Sequence, residues 1–196
     1  MKKRPGKLFI ISGTSQVGKS TVARALVRLP SLSLKRIITT TTRPRRLEDK
    51  LATYHFCTVN EFKKLIKQDK LLEWARVHNY YYGTPRQPVE HALKQGSNVV
   101  LVIDVQGSQQ LRKRYPKTVT IFITAESKAE IKRRIFQSSH IPDQQKNKRW
   151  HTTQHELKQM KNYDYIVVNH WGKLNQTVNR VAAIIRRHIT KGLTKR

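Results

Sequence analysis

An α/β fold built on a parallel sheet is what this sequence predicts, and three observations predict it. Apolar runs rich in β-branched residues recur at Leu8–Ile11, Val99–Ile103, Val119–Ile123 and Tyr165–Val168. Stretches with helical spacing of apolar residues separate them, the pattern of strands buried beneath helices. Between the first run and the first such stretch lies Gly13-Thr14-Ser15-Gln16-Val17-Gly18-Lys19-Ser20-Thr21. Its Gly, Gly-Lys and Ser stand at Walker A spacing, in the strand–loop–helix setting that the motif requires.

The chemistry explains the spacing. Glycines let the backbone curl so that successive N–H groups point inward, and the following helix adds its positive end. Lys19 can then reach the outer phosphates of a nucleoside triphosphate, and the Ser20 hydroxyl suits a magnesium ion. A turn before a helix that binds nothing is the bland alternative. The agreement of strand, motif and helix argues against it.

The 196 residues, of which 37% are hydrophobic, suffice for one sizeable domain. Cys57 is the only cysteine, which excludes an intramolecular disulfide and a cysteine-rich zinc site. No run reaches membrane-spanning length and no secretory leader is visible, so the expectation is a cytoplasmic protein without a membrane partner. The formal charge of +28, from 40 Lys and Arg against 12 Asp and Glu, exceeds what triphosphate binding needs. Its basic residues are spread along the chain with no nucleic-acid motif. They therefore read as general surface character, with nonspecific nucleic-acid binding as a side effect.

The first helix carries Val22, Ala25, Leu26 and Leu29, and Pro30 breaks it. An extended piece from Ile37 runs into Thr39-Thr40-Thr41-Thr42-Arg43-Pro44-Arg45-Arg46, where hydroxyls and guanidinium forks suit a phosphate monoester. Tyr54–Phe56 alternates like a strand, and Asn60 is the expected N-cap of a helix with Phe62, Leu65 and Ile66 on one face. Glu73 is a lone carboxylate in an apolar stretch, able to accept two hydrogen bonds from a purine's ring N–H and amino group. Tyr80-Tyr81-Tyr82-Gly83-Thr84-Pro85 reads as a turn loaded with hydroxyls, and the tyrosines serve equally as amphipathic cover.

A helix around Val89–Leu93 ends at Gly96. The run Val99–Ile103 closes on Asp104, the way a buried parallel strand delivers a carboxylate to a phosphate site. Gly107 permits a turn before a short helix from Gln109 to Arg114. Glu126–Gln137 has helical spacing, with Arg133 and Arg134 on a basic face. A polar break from Ser138 to Gln145 leads to a second helix on which Trp150, Leu157 and Met160 share a face. This basic pair reads as a lid that excludes water. The last helix, Asn175–Ile189, presents Val178, Val181, Ala182 and Ile185 to the sheet. His55, His78, His151 and His155 read as ordinary polar residues, and Cys57 as a small buried side chain.

In order, Gly13–Thr21, Thr41-Thr42-Arg43-Pro44-Arg45, Tyr54-His55-Phe56, Leu72–His78, Tyr82-Gly83-Thr84-Pro85, Ile103–Gly107 and Tyr163–Asn169 resemble the guanylate kinases. The resemblance runs from about Leu8 to about Ile189. It implies a P-loop NTPase fold: a parallel five-stranded sheet flanked by helices, a small mixed GMP-binding insertion and a helical lid. The implied division is core 1–36, insertion 37–87, core 88–126, lid 127–158, and core with C-terminal helix 159–196. The implied reaction is magnesium-dependent phosphoryl transfer from ATP to GMP or dGMP, in a monomer or homodimer.

By the same resemblance Thr39, Arg43, Arg45, Tyr54 and Tyr82 hold the GMP phosphate. Glu73 and Thr84 read guanine, with Asp104 nearby. Lys19, Arg43, Arg134 and Arg149 stabilise the transferred group, Gly13–Thr21 cradle the ATP phosphates, and Asn169 lies near the donor's adenine. There are departures. Gln16 stands where the family has glycine. The Arg43-Pro44-Arg45 segment is contracted, with Leu47 at another glycine position, so Arg46 competes with Arg45 for the second arginine's role. Val102 replaces an acid near the magnesium, and Ser138-Ser139 replaces an Arg-Gly pair at the lid hinge. Three other readings stay open: a weakened binding module, a ribosyl-phosphate kinase, and a basic nucleic-acid-binding protein that kept the fold.

Overall fold

The structure, a computed structural model, describes residues 4–45, 54–77, 79–139 and 141–190. Arg46, Leu47 and His78 lie outside the described residues. Strand β1 (Leu8–Gly13) is buried at every position, because parallel neighbours flank it and helices cover both faces. Those neighbours are β7 (Asn98–Val102) and β8 (Val119–Thr124), and β2 (Leu34–Arg36) and β9 (Tyr165–Val168) complete the sheet. The five strands run in the order β2-β7-β1-β8-β9, all parallel. The three-residue β2, which carries Lys35 and Arg36, shows no apolar pattern of its own and owes its state to β7.

Alternation along β1 splits the core. Phe9 and Ile11 join Val22 and Leu26 of α1 (Lys19–Val27) with Val181 and Ile185 of α7 (Leu174–Thr190). Leu8 and Ile10 face the other way, toward Val89 of α3 (Arg86–Lys94) and Leu111 of α4 (Val105–Arg114). Each such buried aliphatic side chain contributes about 1.5–3 kcal/mol. The sheet therefore has covered faces, and the C-terminal ends of β1 and β7 are left to build a site.

A second sheet draws its strands from β3 (Thr39–Thr41), β4 (Tyr54–Phe56), β5 (Leu71–Val77) and β6 (Tyr80–Pro85), in the order β4-β3-β6-β5. It is mixed: β3 and β4 are parallel, while β6 runs antiparallel to both β3 and β5. The stretch from Tyr80 to Pro85 is thus a central strand and not a turn. Its Gly, Thr and Pro look turn-like locally, but pairing on two sides decides its state. Helix α2 (Val59–Lys67) is capped by Thr58, not Asn60. Thr58 accepts from the Glu61 N–H and Glu61 reaches back to the Thr58 N–H, a reciprocal box worth about 1 kcal/mol.

Gly107 lies inside α4 and makes no turn; Asp104 caps that helix from its N-terminal end. Helix α5 (Lys128–Phe136) starts after the cap Ser127, and α6 spans Asp143–Gln159. Trp150 and Leu157 pack against the larger core. Successive residues sit about 100° apart on a helix, and this separates Arg133 from Arg134. Arg133 is exposed, whereas Arg134 turns inward and is buried. Cys57 is half-buried, and its N–H donates to the Thr41 carbonyl.

Candidate active site

The phosphate loop leaves β1 at Gly13, whose φ of 142° and contact with the Ile123 backbone leave no room for a side chain. Gly18 (φ 84°) starts α1 in the left-handed region, and the Asn169 amide lies where a Cβ would be. Gln16 is exposed and also left-handed, at φ 60°. Lys19 Nζ folds onto its own loop, donating to the Gly13 carbonyl at 2.8 Å and the Thr14 carbonyl at 2.6 Å. Burial lowers its pKa, opposed by the Glu156 and Asp104 carboxylates.

A cavity of about 320 Å³ opens beside this loop. Gly13, Ser15, Lys19 and Ser20 line it from the loop, and Thr39, Tyr54, Glu73 and Tyr82 of the second sheet line it together with Arg43. Val102 at the end of β7 and Asp104 just beyond it also line it, as do Arg149, Thr152, Thr153 and Glu156 of α6. Arg43 is buried, with its guanidinium 5.4 Å from the Tyr54 ring centre and 5.6 Å from that of Phe56. Such a flat cation over aromatic faces keeps its donors in plane for an anion.

Glu73 is buried, and a register shift between Leu71 and Glu73 in β5 sets its aim. The Thr84 hydroxyl donates to Glu73 Oε1 at 2.5 Å. Gly107 makes this arrangement fit, since a Cβ there would overlap Glu73 Oε2. Burial raises Glu73 to about 7, against the Thr84 hydrogen bond that lowers it, and the nearby Asp104 charge adds to the rise. Burial also raises Asp104, although Oδ1 accepts from the Gly107 N–H at 2.8 Å and Oδ2 from the Gln106 amide at 3.2 Å.

Some expected residues stand elsewhere. Arg45 is exposed, stacked 4.6 Å from the Phe56 ring centre, and outside the cavity lining. Thr84 is also outside the lining and acts on the cavity through Glu73. Arg134 is held by Glu130 at 2.7 Å and Glu126 at 3.1 Å, donates to the Asn169 carbonyl, and does not line the cavity. Asn169 has both ends of its amide engaged: Nδ2 donates to the Val17 carbonyl at 2.9 Å and Oδ1 accepts from Thr177 at 2.7 Å. Thr21 and Gln16 are exposed on the outside of the loop and helix. Ser138 is half-buried at the start of the α5–α6 connection, away from the cavity lining.

Glu156 is the site residue that sequence reasoning missed. Burial raises it to about 7, with the Lys19 charge lowering it and Asp104 raising it. The available signal was its place on α6, seven residues after Arg149 and therefore on the same helix face, in a chain with few acids. Among the described residues no group of three His, Cys, Asp or Glu could hold a metal alone. The oxygens of Ser20, Asp104 and Glu156 beside the phosphate loop do fit a hard cation that brings further ligands with it.

The guanylate kinase family model matches residues 5–188. A guanylate kinase from Caldanaerobacter subterraneus subsp. tengcongensis is 38% identical over 184 residues, covering 93% of this chain and 88% of the relative. One from Oceanobacillus iheyensis is 40% identical over 187 residues, covering 95% and 89%. Among solved structures, guanylate kinase from Anaplasma phagocytophilum matches with a TM-score of 0.78 at 28% identity, over 96% of this chain and 88% of that one. A phosphate loop facing a buried carboxylate across one cavity agrees with these likenesses, and the chain belongs to the guanylate kinase family.

Proposed function

We propose that the chain transfers the terminal phosphoryl group of ATP to GMP or dGMP, giving ADP and GDP or dGDP. One observation carries the choice of acceptor. Glu73 is a buried carboxyl, oriented by Thr84, lining the same cavity as the phosphate loop. Ionised, it accepts from both the ring N–H and the 2-amino group of guanine, a pair that adenine lacks.

In this reading Thr39, Arg43, Tyr54 and Tyr82 hold the GMP phosphate, joined by Arg45 or Arg46. The nucleophile is already a phosphate oxygen, so no strong side-chain base is needed. That oxygen bonds to the γ-phosphorus while the bond to the β,γ-bridging oxygen breaks. Lys19 leaves the Gly13 and Thr14 carbonyls for the phosphates, the loop N–H groups of Gly13–Thr21 cradle them, and Arg149 covers them from α6. Arg134 and Asn169 act at one remove, Arg134 by bracing the Asn169 carbonyl and Asn169 by bracing Val17. Ser20 and Asp104 would hold a magnesium ion, which would supply charge neutralisation and orientation of the phosphates. The insertion 37–87 and the lid 127–158 then close on a core made of the remaining segments.

A cytoplasmic setting, where ATP and GMP are available, suits this reading, and no described helix is long and apolar enough to cross a membrane. The +28 charge supports nonspecific, salt-sensitive nucleic-acid binding by a monomer or homodimer. The test is ADP formation from ATP and magnesium with GMP, dGMP, AMP, UMP or a ribose bisphosphate offered separately. Turnover confined to GMP and dGMP is expected. Turnover with the ribose bisphosphate, or none with GMP, overturns the proposal.

A further inference from the structure

Helix α6 turns Arg149, Thr152, Thr153 and Glu156 toward the cavity, at spacings of three, four and seven residues. The arginine suits a triphosphate, but a carboxylate brought to the same place repels one. The Lys19 and Arg149 charges offset part of that repulsion, and a cation between the phosphates and Glu156 would offset the rest. Glu156 Oε2 is out of solvent and accepts no hydrogen bond, although the Ser15 backbone and the Lys19 charge act on the carboxylate. Neighbouring donors are the Ser20 hydroxyl and the Asp104 carboxylate, so the set is all oxygen, which selects magnesium or manganese over softer metals. Val102 lines the same cavity and offers no oxygen from the sheet.

We propose that Glu156 supplies the second carboxylate of the magnesium site, delivered by the lid helix instead of by strand β7. The assignment rests on the phosphotransfer reading above. It couples metal binding to lid closure: without the cation, only Lys19 and Arg149 stand between Glu156 and the phosphates. With it, Glu156 draws α6 and Arg149 down together.

The test uses the full chain with a non-hydrolysable ATP analogue. Free Mn2+ is read by electron paramagnetic resonance and gives the metal affinity of the protein–nucleotide complex. Glu156→Gln, nearly isosteric, is expected to weaken Mn2+ binding about tenfold, while metal-free analogue binds at least as tightly as before. Adding Val102→Asp to that variant returns a carboxylate from the sheet and is expected to restore Mn2+ affinity. An Mn2+ affinity within twofold of the unaltered chain's in Glu156→Gln overturns the assignment. Turnover with GMP by the unaltered chain is measured alongside. If that turnover is present, the overturning result falls on Glu156 alone; if the unaltered chain neither binds the analogue nor turns over, both readings fail.

Discussion

Thr84 Oγ1 donates to Glu73 Oε1 at 2.5 Å, tying a carboxyl on β5 to its cross-strand partner on β6. The bond uses one oxygen edge of Glu73 and leaves the rest of the carboxylate for a ligand. Glu73→Gln replaces an acceptor with a donor where guanine also donates. Hydrogen bonds to a charged group contribute about 1.5–3 kcal/mol, so kcat/KM for GMP is expected to fall by about a hundredfold, most of it in guanine preference. Steady-state kinetics with GMP and AMP read this directly. Retained GMP preference would remove Glu73 from the base site.

The protonation of Glu73 gives a second prediction. Its carboxyl titrates at about 7 in the folded chain, against an ordinary 4.5. Between these values the folded chain holds a proton that the unfolded chain has lost. Its contribution to stability is therefore fully present below the ordinary value and is lost as pH rises through 7. Guanine requires the ionised form and should pull the midpoint down. Carbon-13 NMR of the Glu73 carboxyl is expected to show a midpoint near 7 without ligand and well below it with GMP. An unligated midpoint near the ordinary value contradicts the burial argument.

Gly107 offers a test that leaves every polar group in place. A methyl added there overlaps Glu73 Oε2, although alanine is by itself the better helix former by about 1 kcal/mol. Gly107→Ala should therefore raise KM for GMP at least about tenfold while ATP affinity and helix content hold. If GMP binding is unaffected, Glu73 does not need its observed position.

Lys19→Met separates catalysis from folding. Burial lowers the pKa of the ammonium, opposed by the Glu156 and Asp104 carboxylates, so removing the charge relieves its desolvation but leaves two carboxylates without their cation. Denaturant melts are expected to show a retained cooperative fold, with turnover down by at least about a hundredfold. Loss of the fold in this variant would mean that its bonds to the Gly13 and Thr14 carbonyls hold the loop.

Gln16 occupies a left-handed conformation, φ 60°, that disfavours side chains by about 1–2 kcal/mol. Glycine removes that strain but restores freedom to the unfolded chain, about 0.5–1 kcal/mol in the other direction. Gln16→Gly is expected to raise stability by up to about 1 kcal/mol. A lowered denaturant midpoint would show that the glutamine side chain contributes contacts of its own.

The legible parts of this chain are those whose chemistry is local. Gly13 to Ser20 declare a phosphate loop by spacing alone, and Val178, Val181 and Ile185 declare the inner face of α7. Glu73 stood out because its neighbours are apolar. What could not be seen depends on partners distant in sequence. Tyr80–Pro85 looks like a turn until β3 and β5 pair with it, and Gly107 looks like a turn residue until Glu73 is found beside it. Arg134 and Arg149 look alike on a basic stretch, yet Glu126 and Glu130 hold one while the other overlooks the cavity. Glu156 was hidden for the same reason, since only the packing of α6 brings it near Lys19.

The Asn169 bridge has a consequence for the order in which the chain is made. Synthesis completes the phosphate motif first, and its rear support, Asn169 on Val17 with Thr177 behind, follows 152 residues after Val17. A ribosome-bound chain that has finished β8 and not β9 carries every residue of the loop without the brace that sets it. ATP is therefore expected to be no help to early folding, and nucleotide competence to arrive only once β9, Asn169 and Thr177 have emerged.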